Sequence, residues 1–147
     1  MNLTFKEKSL WLMLIGLFAF SVFYGYQTNQ INQLLQPNTD WLAMTVLPPM
    51  IGLFIAATIL LVIISVVGHI VLALIDRRTD EDERDQLIAL KAERIGGYVL
   101  ATGVFCALCV AVVASGNFLF SQVLLAFWVL AQIVTYATQL IIYRKEA

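Results

Sequence analysis

The stretch PPMIGLFIAATILLVIISVVGHIVLALI, residues 48–75, decides the fold because it contains no Asp, Glu, Lys or Arg. As an α-helix it would be about 40 Å long, and the hydrocarbon core of a bilayer is about 30 Å thick. The Pro48-Pro49 pair suits the first turn of a helix, where a missing amide proton is tolerated. The stretch therefore predicts a long transmembrane helix that tilts in the bilayer.

Working outward from this helix, three further apolar runs occupy residues 10–26, 95–114 and 118–143. Hydrophobic residues make up 61% of the chain and charged residues only 13%, a balance that favours a membrane protein over a soluble domain. No small-residue cleavage site follows the first run, so it is predicted to be an uncleaved helix and not a signal peptide. The sequence predicts an all-α membrane protein with four transmembrane helices in one domain, residues 1–147.

The third and fourth runs are separated only by Ser115, Gly116 and Asn117. Glycine is the residue that most often ends a helix in the left-handed conformation, and asparagine often caps the start of the next one. We therefore predict a tight hairpin between the third and fourth helices, with Gly116 in the left-handed region and Asn117 as the cap.

All nine Lys and Arg residues fall on the same side of the predicted membrane. They precede the first span, lie between the second and third spans, or follow the fourth. Basic residues near span ends are retained in the cytoplasm, so both termini and residues 76–94 are predicted to be cytoplasmic. For a bacterial protein, the membrane would be the inner membrane.

The cytoplasmic loop, residues 76–94, carries twelve of the nineteen charged side chains (nine Lys and Arg, ten Asp and Glu in all). Thr79 with Asp82, or Asp80 with Glu83, resembles a capping box, which predicts a helix beginning near residue 80. One interpretation is a capped, solvated helix. Another is a docking surface for a soluble cytoplasmic partner, because dense mixed charge orients association. The candidate docking residues are Asp82, Glu83, Arg84 and Asp85. A calcium loop is disfavoured, because the glycine and glutamate that such a loop requires are absent.

The run DERDQLIALKAERIGGYVL, residues 82–100, together with QLIIYRK at residues 139–145, resembles a family of small bacterial four-span membrane proteins. Members of that family have no established biochemical activity. The resemblance implies four helices, an inner-membrane location and genes that often lie beside small helix-turn-helix regulators. It implies no catalytic residues. A soluble regulator would suit the docking interpretation of the charged loop.

Polar residues inside a span are expensive in lipid and usually face the interior of a bundle or a cavity. The second span places such residues on one face: Thr58, Ser65, His69 and, at its end, Asp76. His69, the only histidine, would lie about 10 Å inside the cytoplasmic end of the span. It either responds to or carries protons with help from Asp76, or it is a neutral imidazole bonded to a neighbouring helix.

The fourth span has a second polar face, which includes Gln132, Thr135, Tyr136, Gln139 and Tyr143. Interhelical hydrogen bonds from Gln132 and Gln139 would fix helix register within the bundle or across a homodimer. Alternatively, the two amides would line a water-filled path or a small-ligand pocket.

The third span is predicted to be the packing helix. Its small residues, which let helix backbones approach closely, are Gly97, Ala101, Gly103, Ala107, Ala111 and Ser115. Cys106 and Cys109 in the same span form a C-x-x-C pattern. This chain has no second cysteine pair to exchange with and no nearby metal ligands, so we interpret both as packing residues.

The loop between the first two spans is polar and almost uncharged. Ile31, Leu34 and Leu35 have the spacing of one face of a short helix lying on the membrane, and Trp41 suits the headgroup boundary. We therefore predict a surface-lying connector.

Three classes of function follow from these features. The preferred one is a non-enzymatic membrane sensor or accessory protein that acts through its charged loop. The alternative is a small homodimeric transporter or channel that uses the polar faces of the second and fourth spans. The third is a redox enzyme using Cys106 and Cys109. No catalytic group, metal site, cofactor motif or nucleic-acid surface is recognisable, so we expect no enzyme activity, no cofactor and no direct nucleic-acid binding.

Overall fold

The computed structural model describes residues 5–75 and 83–145, which form four α-helices. These are α1 (Phe5–Leu35), α2 (Pro48–Ile75), α3 (Glu83–Val113) and α4 (Phe118–Lys145). Each is long and apolar enough to cross a bilayer. The prediction of an all-α protein with four transmembrane helices is confirmed, and the chain is a small multi-pass integral membrane protein.

The helices pack in the order α2, α1, α4, α3, with α3 and α4 forming the most extensive contact. A core cluster of Phe20, Ala57 and Val129 lies where α1, α2 and α4 meet. The Phe20 ring also stacks on the Tyr24 ring, with centroids 5.9 Å apart. The bundle has a charged end, where α1 and α3 begin and α2 and α4 end, and a loop end opposite it.

The α3–α4 hairpin is confirmed, but its packing face differs in part from the predicted one. Gly103 and Ala107 are buried as predicted, together with Ile88, Ala92 and Gly96. The predicted Gly97, Ala101, Ala111 and Ser115 are exposed instead. The reason is geometric: steps of four residues drift around a helix with 3.6 residues per turn, so Ala111 and Ser115 have turned away from the face of Gly103 and Ala107. The step of seven from Gly96 to Gly103 stays on that face.

α1 and α3 both extend well beyond their apolar runs. α1 continues without a break to Leu35, so the separate surface helix expected around Ile31 and Leu34 is wrong. α3 already begins at Glu83, twelve residues before the apolar run that starts at Ile95. This segment, residues 83–94, is called the α3 extension. It projects about 18 Å at 1.5 Å per residue.

The loop between α1 and α2 is bonded to the α3–α4 turn at the loop end. Gly116 N–H donates to the Leu42 carbonyl (2.8 Å) and Phe118 N–H donates to the Met44 carbonyl (3.1 Å). The Asn117 side-chain oxygen accepts a bond from the Val46 amide (2.7 Å). No described glycine has a positive φ, so the left-handed cap predicted for Gly116 is wrong. Its backbone passes too close to the loop carbonyls for any side chain.

Candidate functional site

A polar cavity of about 300 Å³ lies at the charged end, where all four helices contribute side chains. It is lined by Lys6, Ser9, Leu10 and Met13 of α1, His69 of α2, Asp85, Gln86 and Ala89 of α3, and Tyr136, Gln139 and Tyr143 of α4. His69 lies six residues before the last residue of α2, about 9 Å along the helix axis. The cavity therefore extends from the charged end into the third of α2 nearest that end.

His69 is held by one hydrogen bond within α2 and one to α1. Its Nδ1 lies 2.7 Å from the Ser65 carbonyl oxygen, which only accepts, so Nδ1 carries a proton. Its Nε2 lies 2.6 Å from the Ser9 hydroxyl oxygen. When the ring is neutral, Ser9 donates to Nε2; when Nε2 is protonated, the ring donates and Ser9 accepts. One interpretation from the sequence was that His69 bonds to a neighbouring helix, and this hydrogen bond is present. If Nε2 gains a proton, the Ser9 hydroxyl must change from donor to acceptor for the bond to remain.

Asp85 joins the α3 extension to the end of α4. The Tyr143 hydroxyl donates to a carboxylate oxygen of Asp85 over 2.8 Å, and both residues line the cavity. Since a hydrogen bond to a charged acceptor is stronger than a neutral one, this contact fixes the first turn of α3 against α4. Asp85 is partly buried, whereas its neighbours Glu83 and Arg84 are exposed.

The chemistry of the cavity is that of a small polar binding site. Lys6 and Asp85 provide one charge of each sign, and Gln86, Gln139 and Tyr136 add groups that donate or accept hydrogen bonds. Within the described ranges, no group of three or more His, Cys, Asp or Glu residues is placed to hold a metal ion. The arrangement suits water, protons or a small polar ligand.

Comparison with protein-family models, with curated proteins and with solved structures finds no match.

The cavity brings together five of the residues singled out from the sequence, namely His69, Asp85, Tyr136, Gln139 and Tyr143. Gln132 is half-buried seven residues before Gln139 and is not among the lining residues. Asp76 and Asp82, predicted to assist His69 and to dock a partner, lie outside the described residues.

Three polar lining residues, Lys6, Ser9 and Gln86, had no role in the sequence-based site. Ser9 carried a usable signal, because it is the last polar residue before the apolar run of α1 and must lie near the membrane boundary. The sequence does not show how α1 is rotated about its own axis, so the contact between Ser9 and His69 could not be predicted.

The α3 extension has a buried inner face and an exposed outer face. Ile88 and Ala92 on the inner face are 2% and 0% exposed. On the outer face, Leu87 and Leu90 are 58% and 61% exposed, among the exposed charged residues Glu83, Arg84, Lys91 and Arg94. Residues 83, 87, 90 and 94 follow the spacing of a single helical face. We call this surface, residues 83, 84, 87, 90, 91 and 94, the outer face of the α3 extension.

Cys106 and Cys109 are free thiols, and Cys109 is exposed on α3. They lie about 30 Å along the helix from Asp85, so they are remote from the polar cavity.

Proposed function

We propose that this protein is a non-enzymatic accessory protein of the bacterial inner membrane, which binds a soluble cytoplasmic regulator on the outer face of the α3 extension. The observation that carries the proposal is the exposure of Leu87 and Leu90 on a helix that projects beyond the apolar run of its span. These leucines cannot be explained by contact with hydrocarbon if the membrane begins near Ile95. Apolar side chains surrounded by charged ones are typical of a protein-binding surface.

Charge supports a cytoplasmic partner. The seven basic residues within the described ranges lie in segments at the charged end, which the positive-inside rule assigns to the cytoplasm. One acidic residue, Glu83, and three basic residues, Arg84, Lys91 and Arg94, surround the two leucines, and such charges orient an approaching partner. The resemblance to four-span proteins encoded beside helix-turn-helix regulators favours a regulator as that partner.

The polar cavity would give this surface a sensory input. Asp85 lines the cavity and is bonded to Tyr143, and it belongs to the same helical turn as Glu83 and Arg84. A ligand or a proton in the cavity that favours one position of this turn would change the affinity for the partner. By thermodynamic reciprocity, partner binding would change the affinity of the cavity for its ligand.

Photo-crosslinking tests the docking surface. A photoreactive amino acid at position 87 or 90, in cells of the native host, should crosslink the same soluble protein. The same probe at Leu34, which is 76% exposed at the loop end, should not crosslink that protein. Crosslinks from positions 87 and 90 only to lipid would contradict the proposal.

A charge swap within the outer face provides the matched variant. Glu83→Lys combined with Lys91→Glu keeps the number of basic residues constant, so it leaves the topology signal intact. It should reduce capture of the crosslinked partner at least tenfold, because paired charges would become like charges. The swap Glu7→Lys with Lys8→Glu, at the same end of the bundle on α1, should leave capture unchanged. If the two swapped variants captured the partner equally well, the docking proposal would be overturned.

A second candidate function is transport of protons or a small polar solute. One observation favours it: His69 and Gln139, from the polar faces of two different helices, line the same cavity. In proteoliposomes under an imposed membrane potential, a pH-sensitive dye should then report proton flux that His69→Ala and Gln139→Leu abolish. Gln132→Leu, outside the cavity lining, is the control. Flux that equals that of empty liposomes would exclude proton transport.

A further inference from the structure

A second and larger cavity, of about 610 Å³, lies between α2 and α4 in the half of the bundle nearest the loop end. Along α2 it extends from Met50 to Thr58, and along α4 from Phe120 to Trp128. Each of these stretches is about 12 Å long. The walls are almost entirely apolar, and several wall residues, such as Ile51 at 51% and Phe54 at 38%, are exposed on the outer surface. The cavity is therefore a groove that opens towards the membrane.

The groove has one hydrogen-bonding corner and no charge. The Gln122 side-chain amide donates to the Tyr24 hydroxyl oxygen over 3.4 Å, which leaves the Tyr24 proton to donate elsewhere. The hydroxyls of Thr58 and Ser121 each donate to the backbone carbonyl four residues earlier. The lining contains no Asp, Glu, Lys, Arg or His. Such a site suits an uncharged apolar group with a single hydrogen-bond acceptor at one end.

Depth and length identify the class of occupant. Gln122 lies four residues after the start of α4, about 6 Å into the helix, and Thr58 lies about 15 Å into α2, half the thickness of the hydrocarbon core. The groove therefore belongs to a single leaflet. An acyl chain occupies one leaflet whereas a transmembrane helix spans both, so the groove length of about 12 Å matches an acyl chain better than a helix.

We propose that this groove binds one acyl chain of a membrane lipid from the leaflet at the loop end, with the ester carbonyl accepting a hydrogen bond from the Tyr24 hydroxyl. The chain runs from Gln122 towards Thr58 and contacts Trp128. The ester carbonyl lies where the hydrocarbon core meets the headgroup region, within about 6 Å of the depth of Gln122 in the polar corner.

Fluorescence quenching in detergent tests this site. The full chain with Trp11→Phe and Trp41→Phe keeps Trp128 as its only tryptophan. Phosphatidylcholine with brominated acyl chains should quench Trp128 saturably, with about one lipid bound per chain. Unbrominated diester phosphatidylcholine should displace the brominated lipid about 2–10 times more effectively than the diether form, which lacks the carbonyl acceptor. In Tyr24→Phe, the diester and diether lipids should displace the brominated lipid equally.

Two variants at neighbouring positions separate the groove from the general lipid surface. Thr58→Phe fills the groove and should abolish saturable quenching. Ile59→Phe, at a position that is 55% exposed and outside the lining, should retain it. Quenching that rises without saturation, or an ester preference that persists in Tyr24→Phe, would overturn the proposal. Protection of Trp128 in a dimer that excludes brominated lipid would also overturn it, because a second copy would then cover the groove.

Discussion

Replacing Gly103 with alanine is expected to lower the free energy of unfolding by about 2–3 kcal/mol, the upper range for overpacking a buried site. A Cβ atom at position 103 would overlap the Cβ atom and the ring of Phe127 in α4. The Cβ atom of Phe127 is fixed to its own backbone, so a rotamer change cannot relieve the overlap and the two helices must separate. Unfolding by sodium dodecyl sulfate in mixed micelles, followed by circular dichroism, measures the change.

Gly97→Ala on the same helix is the matched control. Nothing lies within 4 Å of a Cβ atom at Gly97, and alanine favours a helix over glycine by up to about 1 kcal/mol. The control should therefore be neutral or more stable. Replacing Phe127 with alanine in the Gly103→Ala background should recover part of the loss, as a double-mutant cycle would reveal. Equal effects at positions 97 and 103 would show that α3 meets α4 through a different face.

The contrast between Gly97 and Gly103 shows what a single sequence leaves open. Small residues in the third span predicted close packing, but several different rows of them can be drawn on one helix. Only the rotation of α3 against α4 selects the row through Gly96, Gly103 and Ala107. That rotation depends on long-range contacts, which periodicity within one segment does not encode.

The same distinction applies to helix ends. Apolar composition predicted four crossings, because the energetic penalty for charge in hydrocarbon is large. It could not predict that α1 continues to Leu35, because a polar helix outside the membrane carries no such penalty. The α3 extension was recognisable as helical from the capping-box pattern near residue 80, whereas the exposure of Leu87 and Leu90 required the packed structure.

The candidate site was predicted in part. His69 and Gln139 stood out because polar groups in a span need partners, and both line the polar cavity. Asp85 was singled out as a docking residue through its place in a charged run. The hydrogen bond to Tyr143, 58 residues away, instead places Asp85 in the lining of the polar cavity and not on the outer face of the α3 extension. Contacts between residues so far apart follow from the helix arrangement and not from any local pattern.

Gly116→Ala is expected to detach the loop between α1 and α2 from the α3–α4 turn, with a loss of about 3 kcal/mol. The added Cβ atom would overlap the backbone carbonyls of Ala43 and Met44, which cannot rotate away as a side chain can. Three hydrogen bonds across this contact depend on its present spacing: Gly116 to Leu42, Phe118 to Met44 and Val46 to Asn117. At about 1 kcal/mol each, they account for the expected loss. Hydrogen exchange at the Val46 and Phe118 amides, measured by NMR in micelles, should accelerate about 100-fold.

Gly116→Asn separates this steric explanation from a left-handed helix cap. Asparagine tolerates the left-handed region, so it would be accepted if glycine were required for its backbone freedom. Because φ at Gly116 is not positive and the constraint is the approach of two carbonyl groups, Asn should destabilise the contact at least as much as Ala. Gly52→Ala, in the first turns of α2 with nothing within 4 Å of its Cβ position, should leave exchange at both amides unchanged. If Asn were tolerated and Ala were not, the turn would depend on backbone conformation, and the close approach of the loop would not be what selects glycine.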